Sequence, residues 1–371
     1  MPVEFLGIAG TNPASEVTPR TGAALDLDYT AKLARAHEDN GWDRILFAYH
    51  SGSPDPSQVA AYVAGKTDRI NLVVAHRPNV AYPTLTAKTF ATLDHLSGAR
   101  FEVHVITGGS TADQAAEGDF LAKDDRYGRT REFIQILKQA WTSEERIDFS
   151  GQHYQFERFV ADIKPLQQPR PRISFGGSSA AAYAVGAAEA DIFALWGEPL
   201  AGTKKQLATI DAEAAKAGRA DRPVIQIAFR PILAPTEELA WAKAESILGR
   251  IKTVQASGTA APRFRDPRKT PENAGSQRLL QAVEAGERHD RALWTAPTGL
   301  TGGGGNSTAL VGTPETVAAA LLDYYDLGVR IFSARGYDIY DDAVDFGRYV
   351  IPLVREEVAH REHATREELA S

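Results

Sequence analysis

The feature that most constrains this chain is an eightfold recurrence. Short runs rich in Val, Ile and Phe alternate with longer stretches of helical spacing along almost all of the 371 residues. The runs are VEFLGIA (3–9), RILFAY (44–49), INLVVAH (70–76), FEVHVIT (101–107), RISFGG (172–177), DIFALW (191–196), VIQIAFRPIL (224–233) and RIFSARG (330–336). Strands buried on both faces read this way, because helices cover a parallel sheet on each side. The clearest helix signal lies in TPETVAAALLDYYDLGV (313–329), with Thr313 as N-cap, Pro314 in the first turn and Gly328 past the end. Eight βα units predict a (β/α)8 TIM barrel, with a two-lobed doubly wound sheet as the competing architecture. No Pro/Ser-rich linker divides the chain, so 1–371 reads as a single domain. Two insertions break the rhythm. Residues 145–171 suggest a strand or hairpin before strand five. Residues 253–306, between strands seven and eight, mix Gly, Pro and charge around one weak helix near SQRLLQAVEAG. A connection that long predicts a mobile lid or a disordered stretch.

Bulk properties narrow the function classes. A net charge of −7 argues against nucleic acid or an anionic membrane as the main partner. The chain contains no Cys, which excludes disulfides, thiolate nucleophiles and iron–sulfur clusters. No apolar stretch approaches the roughly 20 residues that span a bilayer. MPVEFLGIAG carries neither a basic n-region nor a long apolar core. A soluble cytoplasmic protein is the expectation. HREH at 360–363 sits in a charged terminal helix and reads as a solvated face, so no metal site is expected.

In a barrel, chemistry gathers where strands end. Strands two to eight end in FAYHSGSPD, AHRPN, VITGGS, FGGSS, LWGEP, FRPI and ARGYD, whereas Leu and Val fill the strand interiors. In FGGSS, Gly176 and Gly177 permit a sharp turn, and Ser178 and Ser179 open the next helix. Exposed amides and the helix dipole make such a terminus a seat for an anionic group. A Ser N-cap after a tight turn is the plainer alternative. Gly108 and Gly109 would let a flat ring approach the main chain, or would simply make a turn. His50, at the mouth of strand two, suits a general base or hydrogen-bond donor, or is an ordinary loop histidine. His104, inside strand four, reads as a core histidine.

The ordered set AHRPN, PTLTAKTFATLDHLSGAR, VITGGS, DRYGRTREFIQILKQAW, PLQQPRPRISFGGSS, LWGEP, STALVGTPETVAAAL and GVRIFSARGYD resembles the bacterial-luciferase-like flavin monooxygenases. Alkanesulfonate monooxygenases are the nearest subgroup. The resemblance runs over nearly the whole chain and is weakest at 10–27 and 253–300. It implies a barrel that binds FMN as FMNH2, delivered by a separate NAD(P)H-dependent flavin reductase. A flavin peroxide formed with O2 would then oxygenate a small organosulfur or sulfonate compound, with C–S cleavage releasing sulfite. Homodimers or homotetramers are implied too.

Carried over by residue, Thr107, Gly108 and Gly109 would lie beside the flavin ring. Tyr127, Ser178 and Ser179 would hold its phosphate, with Gly176 and Gly177 shaping the turn. His76 and Arg77 would face the ring or its polar edge, and Ala75–His76 is a candidate cis peptide. Trp196, Arg230 and Tyr337 would line the substrate pocket, with Arg230, Tyr337 and His50 as the catalytic set. Three positions depart from the sulfonate pattern. Ile232 stands where those enzymes have a His, the Pro54 region lacks their Cys, and Gly302–Gly305 replaces a loop Arg. A less anionic substrate is therefore also expected. An F420-dependent oxidoreductase on the same scaffold and a non-catalytic flavin-binding protein are the alternatives.

Overall fold

The computed structural model describes residues 2–257 and 271–370. All eight apolar runs are strands: β1 (Glu4–Ile8), β2 (Arg44–Phe47), β3 (Asn71–His76), β4 (Phe101–Val105), β5 (Ile173–Gly176), β6 (Ile192–Trp196), β7 (Val224–Leu233) and β8 (Val329–Ala334). Each lies beside its sequence neighbour, β8 returns to β1, and β7 pairs with β6 as well as β8. The fold is a closed (β/α)8 barrel. Burial explains the composition of the runs: Phe5, Ile45, Val74, Val103, Phe175, Phe193, Ile227 and Phe332 are all inaccessible to solvent or nearly so. Among the described residues no helix is long and apolar enough to cross a membrane.

Two compact units are distinguished by their internal contacts. One comprises Ile45–Ala194 and Leu207–Val224. Its helices Pro83–Ser97 and Lys123–Thr142 follow β3 and β4. The expected insertion before β5 is an antiparallel hairpin, Ile147–Ser150 with Gln155–Phe159. The Glu132 carboxylate closes its turn, accepting from the amides of Gln152 (2.8 Å), His153 (3.0 Å) and Tyr154 (3.1 Å). The chain returns to the barrel through Asp94, which is fully buried. Its oxygens accept from the amides of Leu166 (2.7 Å) and Gln167 (3.0 Å) and from the Gln167 side chain (2.7 Å).

The sequence expectation of a cis bond at Ala75–His76 is corrected here. The cis peptide among the described residues is Gln168–Pro169. Ala75 and His76 stay in the ladder opposite His104 and Val105, and the His76 carbonyl accepts from Ile106 N at 2.9 Å. That regular pairing holds the bond in the ordinary strand conformation.

The second unit comprises Met1–Arg44, Leu195–Gln206 and Ile225–Ser371. Helix Pro314–Asp326 begins as the sequence predicts: Thr313 caps it by accepting from Thr316 N, and Pro314 opens the first turn. Part of the expected 253–306 lid, residues 258–270, lies outside the described residues. The rest contains helix Ala274–Ala285 and the short pair Arg288–His289 and Leu293–Trp294. Leu293–Trp294 pairs in turn with Ala309–Gly312, which runs parallel to β7 with Ala309 opposite Arg230. Trp294, Ile232, Val311, Ala309 and Tyr337 share one buried cluster.

Replacing Asp94 with Ala removes the acceptor of three part-buried donors, at about 1–3 kcal/mol for an unsatisfied group. We expect Asp94→Ala to lower unfolding free energy by about 3 kcal/mol in urea titration. The amides of Leu166 and Gln167 should lose hydrogen-exchange protection first; unchanged protection there would refute the anchoring role.

Candidate functional site

The β5 exit is a bare, donor-rich turn. A Cβ at Gly177, where φ is 155°, would sit 2.6 Å from the Cβ of Ala182, inside the first turn of helix Ala180–Glu189. At Gly176 it would sit 2.9 Å from the Ala194 carbonyl. A side chain at Gly177 would therefore fill the ground in front of that helix, and one at Gly176 would push the turn away from β6. Ser179 caps the helix by accepting from Ala182 N at 3.2 Å. The Tyr127 hydroxyl reaches the same corner, hydrogen-bonded to Ser179 and 3.6 Å from where a Gly177 Cβ would lie. Burial raises the Tyr127 pKa, so the hydroxyl keeps its proton. Its chain neighbour Arg126 is buried, with an Nε that has no partner.

The Thr107-Gly108-Gly109 turn stands on a second support. Thr107 is buried and its hydroxyl lies 3.1 Å from that of Thr130. Thr130 donates to the Arg126 carbonyl at 2.8 Å, so Thr107 is the donor between the two threonines. Gly108 has φ 93°, and a Cβ there would lie 2.6 Å from Gln114 Cδ. Glycine is thus required twice over, by its left-handed backbone and by the Gln114 amide beneath it. With that amide oriented to match its neighbours, its oxygen accepts from Arg77 Nε at 3.1 Å and its nitrogen donates to Asp119 at 2.8 Å. Arg77 is itself buried, pairing with Asp113 and with Glu117 (2.6 Å), and lies 4.9 Å from the Tyr49 ring centroid. Its charge is met by two carboxylates, and it buttresses the loop.

The histidines divide by environment. His76 stacks on Phe133 (5.4 Å, 19°) and meets Phe90 edge-on (5.1 Å), so its ring lies toward helices Pro83–Ser97 and Lys123–Thr142. Burial pushes its pKa down to about 4, leaving it neutral, and its Nε2 has no partner. His104 approaches Ser174 Oγ at 2.9 Å, and burial likewise pushes it down to about 4. His50 sits in the loop after β2, where its Nδ1 accepts from Gly52 N at 3.2 Å, which puts the ring proton on Nε2. Pro54 lies in the same loop, just before Asp55, which caps helix Pro56–Ala64.

In the other unit, Arg230 and Tyr337 come together, the guanidinium carbon 5.3 Å from the ring centroid. Arg230 is buried against Glu16: Nη2 donates to Oε1 at 2.7 Å and Nη1 to Oε2 at 3.4 Å. Its remaining contacts are the carbonyls of Asn306 (2.7 Å, from Nε) and Gly336 (3.3 Å). Arg335 donates to the same Glu16 Oε1 at 2.9 Å. Burial alone would raise the Glu16 pKa. The two guanidinium charges and their hydrogen bonds prevail and hold it far below the carboxylate range. Burial drives the Tyr337 phenol well above its usual pKa, so it stays protonated and can donate a hydrogen bond.

Trp196 packs over the start of helix Ala274–Ala285, where a Cβ on Gly275 would lie 2.7 Å from its ring. Beside it, buried Glu198 pairs with Arg278 of that helix at 2.6 Å. Ile232 belongs to the apolar cluster and is fully buried. Gly302, Gly303 and Gly305 all have φ between 61° and 68°.

A family model for luciferase-like monooxygenases matches residues 8–330. The chain belongs to the luciferase-like monooxygenase family. Solved structures of similar fold include a riboflavin lyase with modified FMN and its substrate riboflavin. That likeness has a TM-score of 0.78 at 23% identity, over 96% of this chain and 92% of that one. Another is EDTA monooxygenase from Chelativorans sp. BNC1, with TM-score 0.76 at 16% identity, over 96% and 94% of the two chains. A third is an F420-dependent secondary alcohol dehydrogenase holding an F420–acetone adduct, with TM-score 0.67 at 16% identity, over 95% and 99%. At these identities the likeness is one of fold.

Strand-end reasoning finds most of the polar side chains that this luciferase-like monooxygenase gathers at its barrel exits, but it misses Glu16. The signal was available: Glu16 lies in the loop after β1, the one strand end left out of the inventory. Gln114, Asp113 and Glu117 carry no spacing signal, because only the fold brings them under Gly108 and around Arg77.

The folded pKa of Glu16 is depressed, so its stabilising contribution is full above the ordinary carboxylate value of 4.5 and falls away as pH drops below it. Removing one partner of a buried pair typically costs about 3–5 kcal/mol. We expect Glu16→Gln to lose about that much at pH 7, and its stability to vary less with pH than wild type between pH 5 and 3, read from urea midpoints. Parallel pH profiles would refute the pairing.

Proposed function

We propose that this luciferase-like monooxygenase uses reduced FMN, supplied by a separate NAD(P)H-dependent flavin reductase, to insert one atom of O2 into a small organic substrate. The observation that carries the reading is the β5 exit. The residues present fit the phosphate end of FMN. The ground before the helix is kept clear by Gly177, Gly176 lets the turn lie close against β6, and the donors around it are hydroxyls and helix amides. The charged neighbour Arg126 has a buried Nε without a partner. A dianion there meets donors and a positive helix end, each charge-assisted hydrogen bond contributing about 1.5–3 kcal/mol.

On this reading Tyr127, Ser178 and Ser179 hold the phosphate, and Thr107, Gly108 and Gly109 lie beside the ring. Bound reduced FMN supplies the electrons that activate O2. The protein's share is placement and proton control. Gln114 and Arg77 fix the glycine turn, Tyr337 keeps its proton and offers it in a hydrogen bond, and His50 has Nε2 as its donor nitrogen. Trp196, Arg230 and Tyr337 form the substrate side, and the organosulfur class follows from the resemblance to the alkanesulfonate enzymes. An F420-dependent hydride transfer is the second reading, favoured by the fold likeness to the F420-dependent alcohol dehydrogenase.

Tyr127→Phe removes one donor from the phosphate seat without changing its shape. It should weaken reduced FMN binding about tenfold or more, measured anaerobically by fluorescence quenching. With reductase, O2 and substrate, wild type should couple flavin oxidation to product. Tight retention of F420 with no affinity for reduced FMN would overturn the reading in favour of the second.

A further inference from the structure

The Arg230 guanidinium has the geometry of an oxyanion receptor, with two nitrogens of its fork meeting two oxygens of one partner. That partner is already in place. Glu16 Oε1 lies 2.7 Å from Nη2 and Oε2 lies 3.4 Å from Nη1, end-on across the two terminal nitrogens as a sulfonate or carboxylate can bind. Arg335 closes on the same carboxylate at 2.9 Å. Arg230 and Glu16 are less than a tenth exposed, so little water is available to loosen the pair. The carbonyls of Asn306 and Gly336 take two more of its N–H donors, from Nε and Nη1.

We propose that Glu16 is a specificity-determining residue, whose carboxylate fills the oxyanion place at Arg230 and so restricts the site to uncharged substrates. The proposal rests on the reading of Arg230 and Tyr337 as substrate-side groups. A free anion must displace a carboxylate tethered to the same fold, whose effective concentration is of order millimolar or higher. It would also push the displaced Glu16 charge into a dry site, at a large desolvation cost. An uncharged substrate meets neither barrier and still finds the Tyr337 hydroxyl, which burial keeps protonated. The surroundings agree. Ile232 is sealed in an apolar cluster with Trp294 and Val311, and a glycine run occupies 302–305, so neither position adds a cationic group.

The test uses an isosteric pair, ethanesulfonate and ethanesulfonamide, titrated by calorimetry and thermal shift in the absence of flavin. Wild type is expected to show no saturable response to millimolar ethanesulfonate. Glu16→Ala should bind ethanesulfonate at least about tenfold more tightly than wild type, the ratio one charge-assisted hydrogen bond supplies. Ethanesulfonamide should gain nothing from the substitution, and adding Arg230→Gln should abolish the gain. If Glu16→Ala folds only with added ethanesulfonate or acetate, that rescue is the same result. Glu16→Gln, which keeps the side-chain shape, should show a smaller gain in the same direction. Saturable binding of ethanesulfonate to wild type that Arg230→Gln removes would overturn the proposal, as would a folded Glu16→Ala that gains no affinity. A parallel titration of the same samples with reduced FMN reports on the flavin reading separately, because the anion titration needs no cofactor.

Discussion

Everything in this structure follows from strands covered on both faces. Their interiors are mostly apolar, with the few polar exceptions such as His104 and Ser174 paired to each other, so polar groups have room chiefly where strands end and loops begin. Phe175 and Ile173 are fully buried, yet the next residues are Gly176, Gly177, Ser178 and Ser179. The change from core to chemistry takes one residue. A helix then starts at Ala180, so the exit places the positive pole of that helix where two glycines leave the backbone bare.

Several barrel exits also carry buried charge met by opposite charge. Arg77 meets Asp113 and Glu117, Arg129 meets Asp119, Arg230 and Arg335 share Glu16, and Arg278 meets Glu198. Such pairs are poor sources of net stability, since desolvation consumes much of the attraction. Their value is geometric. Each joins a barrel exit to another loop or helix, and losing either partner strands the other. Arg77 shows the consequence: through Gln114 it sets the position of Gly108, although no part of it lies in the glycine turn.

The barrel was legible because period and composition are local signals. All eight strands, the hairpin before β5 and the helix opening at Pro314 fall where the residues place them. The site was legible only where geometry is written into residue type, as in the paired glycines and the Ser cap. It was not legible where tertiary packing decides. The ring of His76 turns toward Phe90 and Phe133, because aromatic side chains on two helices offer it a dry slot. Sequence spacing says nothing of that slot. Glu16 escaped notice because its partners are more than two hundred residues away, and Asp94 because its role is to satisfy amides brought near by a hairpin.

The central claim is that the β5 exit recognises a phosphate, and the most direct measurement compares reduced FMN with reduced riboflavin, which shares the ring and lacks that group. Anaerobic titration of the wild-type protein should favour reduced FMN by about a hundredfold, the combined effect of two or more charge-assisted hydrogen bonds. Equal affinity for the two flavins would show that the turn at Gly176–Ser179 is only a turn, and would contradict the account.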